Sequence, residues 1–336
     1  VRVPLQPLGA LFGRVTAVRR GLYRRGLLPQ RRLGCPVISV GNLSVGGSGK
    51  TPVVARVATL LKEAGLPVAI LSRGYRGSFQ GRALVVSDGS RVYASSLAAG
   101  DEPVMLARDL PGVIVAVGRR RDVVGAEVLR RFGRQVLVLD DAFQHLRLFR
   151  DLDIVCLDAL TPDDLPLPAG RLREPMAAAR RADVLLLTEA HRAEETTLAA
   201  LEAQYGPDRT FRVGRRCEGF RSLAGEACPA PQRPFVVSAI ARPERLERDV
   251  LEQCGAMVGR IRASDHHRFR ERELLEAASR AGELGADAIV VTAKDAVRLP
   301  ERLPEAPPVR VFRTRVEIRD EAGFRQRLLA VAARVG

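Results

Sequence analysis

The stretch Gly41-Asn42-Leu43-Ser44-Val45-Gly46-Gly47-Ser48-Gly49-Lys50-Thr51-Pro52 gathers the residue types that handle phosphate. Small residues at Gly46, Gly47, Ser48 and Gly49 let backbone N–H groups turn toward an anion at a helix N-terminus. Lys50 supplies a cation for the terminal phosphate oxygens, and Thr51 a hydroxyl for Mg²⁺. Pro52 suits the first helical turn, where a missing N–H costs nothing. The strict nucleotide-loop spacing asks for one further glycine, at the position held by Ser44. Lys50 stands out because the chain has lysine only at 50, 62 and 294 and uses arginine elsewhere.

A phosphate loop also needs an acid at the end of a neighbouring strand to hold the metal shell. Val136-Leu137-Val138-Leu139-Asp140-Asp141 has that form, although an apolar strand closing on two carboxylates is in isolation also an ordinary turn. Asp101, taken alone, reads first as a surface-loop acid, and His266 in Asp265-His266-His267 first as a capping or core histidine.

The elements that must position these groups follow from periodicity. From Pro36 onward, short β-rich runs alternate with helical stretches. Strands are predicted at 36–41, 68–72, 113–117, 136–139 and 153–157, then at 184–188, 209–213, 234–238, 288–292 and 309–313. Such alternation makes βαβ units and a mostly parallel sheet. The expected fold is α/β: a P-loop NTPase-like, mostly parallel sheet flanked by helices, a second smaller α/β lobe, and an N-terminal amphipathic helix. The expected divisions are 1–30 for that helix, 31–210 for the P-loop core, and 211–336 for the smaller lobe completing the active-site cleft. In the first segment Leu5, Leu8, Leu11, Phe12, Val15, Val18, Leu22 and Tyr23 recur at helical spacing, with Arg14, Arg20, Arg24 and Arg25 off that face. The pattern leaves two readings open: a helix lying in a membrane's headgroup layer, or one packed on the protein's own core.

Composition bounds the rest. The 336 residues are 46% hydrophobic and 28% charged, enough for one large or two ordinary domains. A net charge of +15 suits nucleic acid, anionic lipid or phosphorylated substrates alike, but 4% aromatics without Trp supply few stacking platforms, so no nucleic-acid partner is expected. Five dispersed cysteines without a CxxC pair fit a reducing compartment. Neither a membrane-spanning apolar run nor a cleavable signal peptide is evident.

The phosphate loop, Asp140-Asp141-Ala142-Phe143-Gln144-His145, Leu71-Ser72-Arg73-Gly74-Tyr75, Gly100-Asp101-Glu102-Pro103, Gly170-Arg171-Leu172-Arg173-Glu174-Pro175, Asp265-His266-His267 and Thr292-Ala293-Lys294-Asp295 occur in this order. Together they resemble the tetraacyldisaccharide 4'-kinases of lipid A biosynthesis over nearly the whole chain. The resemblance implies ATP-dependent phosphorylation, with Mg²⁺, of the 4'-hydroxyl of a tetraacylated glucosamine disaccharide 1-phosphate. It places that reaction at the cytoplasmic face of a Gram-negative inner membrane, whose anionic lipid the first helix would contact as a monotopic anchor. It implies Asp101 as catalytic base, His266 as the histidine paired with it, and Lys50 as the phosphate cation. Gly46, Gly47, Ser48, Gly49, Lys50 and Thr51 would hold nucleotide, and Thr51, Asp140, Asp141 and Glu174 the metal. Asn42, Arg73, Glu102, Arg121, Gln144, His145 and Arg173 would meet substrate. Ala293 stands where the family commonly has Glu, which leaves Lys294 open to a structural or a catalytic role. Which protein partners it has, if any, stays open.

Other classes remain in contention. The Thr292–Asp295 tract superficially resembles the guanine-reading motif of GTPases, but its residue order is wrong. Asp265-His266-His267 as the metal site of a phosphoesterase lacks the dispersed Asp-rich strand ends such a site requires. A non-catalytic basic adaptor at anionic membrane rests on the charge alone.

Overall fold

The computed structural model describes residues 5–45, 49–162 and 164–333. They form two compact units. The first holds the described residues up to Arg215 and those from Val316 onward; the second is Arg216–Arg315.

The first unit is built on β1 (Val37–Asn42), β2 (Val68–Ser72), β3 (Leu84–Ser87), β4 (Ile114–Val117), β5 (Val136–Asp140), β6 (Leu152–Asp158), β7 (Val184–Thr188) and the start of β8 (Thr210–Arg221). Their order across the sheet is β8-β7-β6-β1-β5-β2-β4-β3, parallel except where β3 runs against β4. β1, β2, β5 and β7 are buried along their whole lengths, as strands covered on both faces by helices must be. Their Val-, Ile- and Leu-rich runs are therefore continuous rather than alternating. Val40 sits opposite Asp140 and Leu71 opposite Leu139, so β1, β5 and β2 finish together at one sheet edge. In open parallel sheets that edge, at the strands' C-terminal ends, is where ligands bind.

The helices of this unit are α1 (Gln6–Arg24), α2 (Lys50–Glu63), α3 (Ser96–Ala99), α4 (Asp101–Asp109), α5 (Arg121–Phe132) and α6 (Glu195–Tyr205). α2 buries Val53, Val54, Val57, Ala58, Leu60 and Leu61 against β1, β2 and β5, so its N-terminus is held at the same edge.

In the second unit the far end of β8 pairs antiparallel with β9 (Ala227–Cys228). β10 (Pro234–Ser238), β11 (Gly259–Arg262), β12 (Ala288–Thr292) and β13 (Val309–Ile318) form a parallel sheet ordered β11-β10-β12-β13. It carries α7 (Pro243–Cys254), α8 (Glu271–Glu283) and α9 (Ala293–Ala296). The chain then returns: α10 (Glu321–Ala333) belongs to the first unit.

The strands read from the sequence are all present, and the fold is the expected α/β architecture. The expected division at 211–336 differs from the compact units at its C-terminal end. α10 buries Phe324 and Leu328, sets Phe324 edge-on to Phe211 at 5.6 Å, and binds Arg56 of α2 through Glu321 at 2.7 Å. These contacts fix the last helix to the first unit, and none is visible in a helical pattern. β3, β9 and β11 escaped the sequence reading because they are short. β11, Gly259-Arg260-Ile261-Arg262, has too few apolar residues to register as a strand.

Candidate active site

Several of the expected site residues lie at the strand ends of the first unit. Asn42 closes β1, and its side-chain oxygen accepts from Lys50 Nζ at 2.9 Å while its amide donates to the Ser44 carbonyl at 2.7 Å. Lys50 begins α2 directly after Gly49, whose φ of 75° makes the turn. Its ammonium also pairs with Asp141 at 2.8 Å. Thr51 follows in the first helical turn. Gly46, Gly47 and Ser48 lie outside the described residues.

Asp140 and Asp141 are adjacent but chemically opposite. Asp141, at φ 50°, turns out of the strand and is held by Lys50 and by Arg173 at 2.9 Å. These cations outweigh burial and keep its carboxyl below the ordinary range. Asp140 is buried and accepts from the Ser72 hydroxyl at 3.0 Å. Burial first, then the charges of Glu102 and Asp141, push its pKa up to about 7 against the opposing Lys50 and Ser72. Burial and neighbouring acids both favour the protonated form of a carboxyl.

Arg173 reaches Asp141 because residues 171–173 lie alongside the entrance to the phosphate loop. Val45 N–H donates to the Arg171 carbonyl at 2.7 Å, and Arg173 N–H to the Leu43 carbonyl at 2.6 Å. Gln144 donates to the Asn42 carbonyl at 3.0 Å. Arg121 is buried at the start of α5; burial lowers its pKa, the Arg73 charge adds to that, and Asp140 and Asp141 oppose it. His145 is lowered to about 4 by burial and then by Arg121, with Arg150 and Arg19 acting the same way, so at neutral pH it is an uncharged imidazole.

Asp101 is buried in the first turn of α4, where the helix N-terminus favours an anion. The preceding Gly100 has φ 90°, and a Cβ there would meet the Tyr75 carbonyl at 2.6 Å, so only glycine lets the 74–76 loop pass beneath the acid. Glu102 is the neighbour whose charge reaches Asp140. The start of α4 and the end of β5 therefore share one electrostatic site.

The expected metal set is not assembled as a whole: among the described residues no three His, Cys, Asp or Glu side chains converge as a cation cage. Glu174 is the member that departs. Its carboxylate is held by Arg20 at 2.9 Å and by Arg181 at 2.8 Å, and Arg181 in turn stacks over Phe143 at 3.8 Å. Two guanidiniums hold its oxygens, and the one from Arg20 ties it to α1. Asp140 and Thr51 do fit Mg²⁺, being hard oxygen donors beside a phosphate-binding helix start.

His266 belongs to the second unit, on the loop after β11, with φ 67°. Its neighbour His267 is spent on structure, meeting Glu273 at 3.1 Å beneath the N-terminus of α8. Ser72 is the site residue without an expected role; a serine closing an apolar strand just before Arg73 was its only signal.

α1 leaves much of its apolar stripe exposed instead of burying it on the protein's own core. Its docked face is made of glycine: a Cβ on Gly9 would meet the Pro166 carbonyl at 3.0 Å, and one on Gly13 the Pro175 ring at 3.1 Å. The apolar face points outward, with Leu11 57%, Val15 59% and Val18 64% exposed. No helix among the described residues is long and apolar enough to cross a membrane.

The sequence matches the profile of the tetraacyldisaccharide-1-P 4'-kinase family over residues 1–333. It is 42% identical to a tetraacyldisaccharide 4'-kinase of an Anaeromyxobacter species, covering 98% of this chain and 92% of that protein. It is 40% identical to the protein of that name from Desulfotalea psychrophila, covering 90% and 89%. The crystal structure of LpxK from Aquifex aeolicus in complex with ATP superposes with a TM-score of 0.81 at 32% identity, covering 98% of this chain and 99% of that one.

Proposed function

The chain belongs to the tetraacyldisaccharide-1-P 4'-kinase family, an enzyme of lipid A biosynthesis, and we propose that it transfers the γ-phosphate of ATP at the β1–β5–β2 strand ends. The observation that carries this reading is the convergence of Lys50, the Asp140–Asp141 pair and the acidic start of α4 on one sheet edge. Phosphoryl transfer is chiefly positioning and charge neutralisation, and these are the groups it requires.

In this mechanism Lys50 exchanges Asp141 for phosphate oxygens, while Asn42 keeps its ammonium aimed at the loop. Asp140 and Thr51 would hold Mg²⁺, which when bound neutralises charge on the terminal phosphates. A sugar hydroxyl is a weak nucleophile, and Asp101 takes its proton as the attack proceeds. His266 takes part in the transfer, as the resemblance to the family implies. Arg73, Arg121 and Arg173 meet anionic parts of nucleotide and substrate, and neutral His145 with Gln144 offers hydrogen bonds to sugar. The outward apolar face of α1, with Arg14, Arg24 and Arg25 beside it, attaches the enzyme to anionic lipid at the cytoplasmic face of the inner membrane.

Transfer of labelled γ-phosphate from ATP into organic-extractable disaccharide lipid tests the mechanism. Lys50→Ala and Asp101→Ala are each expected to lower the rate by roughly 10²- to 10⁴-fold. Undiminished transfer in both would remove it.

A further inference from the structure

The Thr292-Ala293-Lys294-Asp295 tract takes no part in the transfer as described, yet it meets His266 directly. Lys294 Nζ lies 3.3 Å from His266 Nε2 and 3.9 Å from Asp265 Oδ1. Asp265 Oδ2 is 3.7 Å from the same ring nitrogen, beyond hydrogen-bond reach. An ammonium has donors only. The Lys294 contact therefore requires Nε2 to present its lone pair, which leaves the ring proton on Nδ1. An imidazolium would set two cations against each other.

The pair is braced from below. Asp295 and Arg298 are both buried and bound to each other, and they hold the Ala239 peptide from either side. The Ala239 N–H donates to Asp295 at 3.1 Å, and its carbonyl accepts from Arg298 at 2.9 Å. That carbonyl also accepts the His266 backbone N–H at 3.0 Å, fixing a residue in the left-handed region that side chains seldom occupy. Thr292 donates to the other Asp295 oxygen at 2.7 Å and accepts the Asp295 N–H at 3.0 Å, which starts the short helix carrying Lys294. Donor and acceptor are thus each tied to the same buried ion pair.

We infer that Lys294 is a positioning residue that holds His266 as the neutral Nδ1–H tautomer, through a hydrogen bond from its ammonium to Nε2. The inference rests on the proposed role of His266 in the transfer. In that tautomer Nδ1 is a donor and Nε2 is occupied by Lys294, so the ring does not itself accept the sugar proton. Proton abstraction then falls to Asp101 alone.

The test is ¹⁵N NMR of the full chain with labelled histidine, the His266 signals being assigned by their loss in His266→Gln. At about pH 8, where histidine is neutral, wild type should show a protonated Nδ1 and a bare Nε2. Lys294→Met should move the proton toward Nε2, and Lys294→Arg should keep it on Nδ1. Turnover should fall about tenfold in Lys294→Met with KM for ATP unchanged, and recover in Lys294→Arg. Wild-type His266 carrying its proton on Nε2 overturns the inference, and that spectrum decides by itself should Lys294→Met not fold. Undiminished transfer in His266→Gln would instead remove the role of His266 and leave the tautomer result standing.

Discussion

Asp140 and Asp295 are both buried acids near the end of a parallel strand, and burial raises the pKa of each. Their surroundings differ in kind. Asp295 is completed by the protein: Thr292, the Ala239 N–H and Arg298 occupy its oxygens. Asp140 receives the Ser72 hydroxyl but has the charges of Glu102 and Asp141 added to the effect of burial. The first is scaffold and the second a site. Burial of a carboxylate does not separate the two; the sign of the charge assembled around it does.

Exchanging the two acids for neutral residues gives the largest contrast. Asp140→Asn should lower phosphate transfer by roughly 10³-fold while leaving the urea unfolding midpoint unchanged or higher. Asp295→Ala should leave Arg298 buried without its carboxylate and cost about 3–5 kcal/mol in the same unfolding measurement. Equal destabilisation by both substitutions would erase the distinction.

The pH dependence sharpens it. The folded-state pKa of Asp140, about 7 against an ordinary 3.8, means that the folded protein binds this proton more tightly than the unfolded chain does. The stability so gained is complete below about pH 4 and is lost as pH rises through about 7. Calorimetry of the nucleotide-free protein should show the melting temperature falling across that window more steeply in wild type than in Asp140→Asn. Parallel slopes would contradict the environment assigned to Asp140.

The smallest effect concerns α1. Leu11→Glu with Val15→Glu should reduce binding to anionic vesicles about tenfold or more, as two apolar side chains lose their insertion energy. Because both are exposed in the fold, the unfolding midpoint should stay where it was. Unchanged vesicle binding would move the membrane contact elsewhere.

Much of this was legible in the residues alone. Continuous apolar runs marked the central strands because parallel strands covered on both faces must be apolar throughout. Lys50, Thr51 and the Asp140–Asp141 pair were legible because phosphate chemistry leaves little choice of residue type at those points. α1 was half legible: its periodicity showed an apolar stripe, but the side it docks on depends on Gly9 and Gly13, which carry no hydrophobic signal.

The sequence by itself determined which chemical groups are present, their order, and the strands and helices that carry them, because these follow from residue type and short-range periodicity. Tertiary structure decided the partners. Glu174 went to Arg20 and Arg181, Asp141 to Lys50 and Arg173, and Lys294 to His266. In a chain with 54 basic residues almost every acid has many cations to choose from. Only distance in the folded state, with a Coulomb energy that falls as charges separate and as water screens them, selects one.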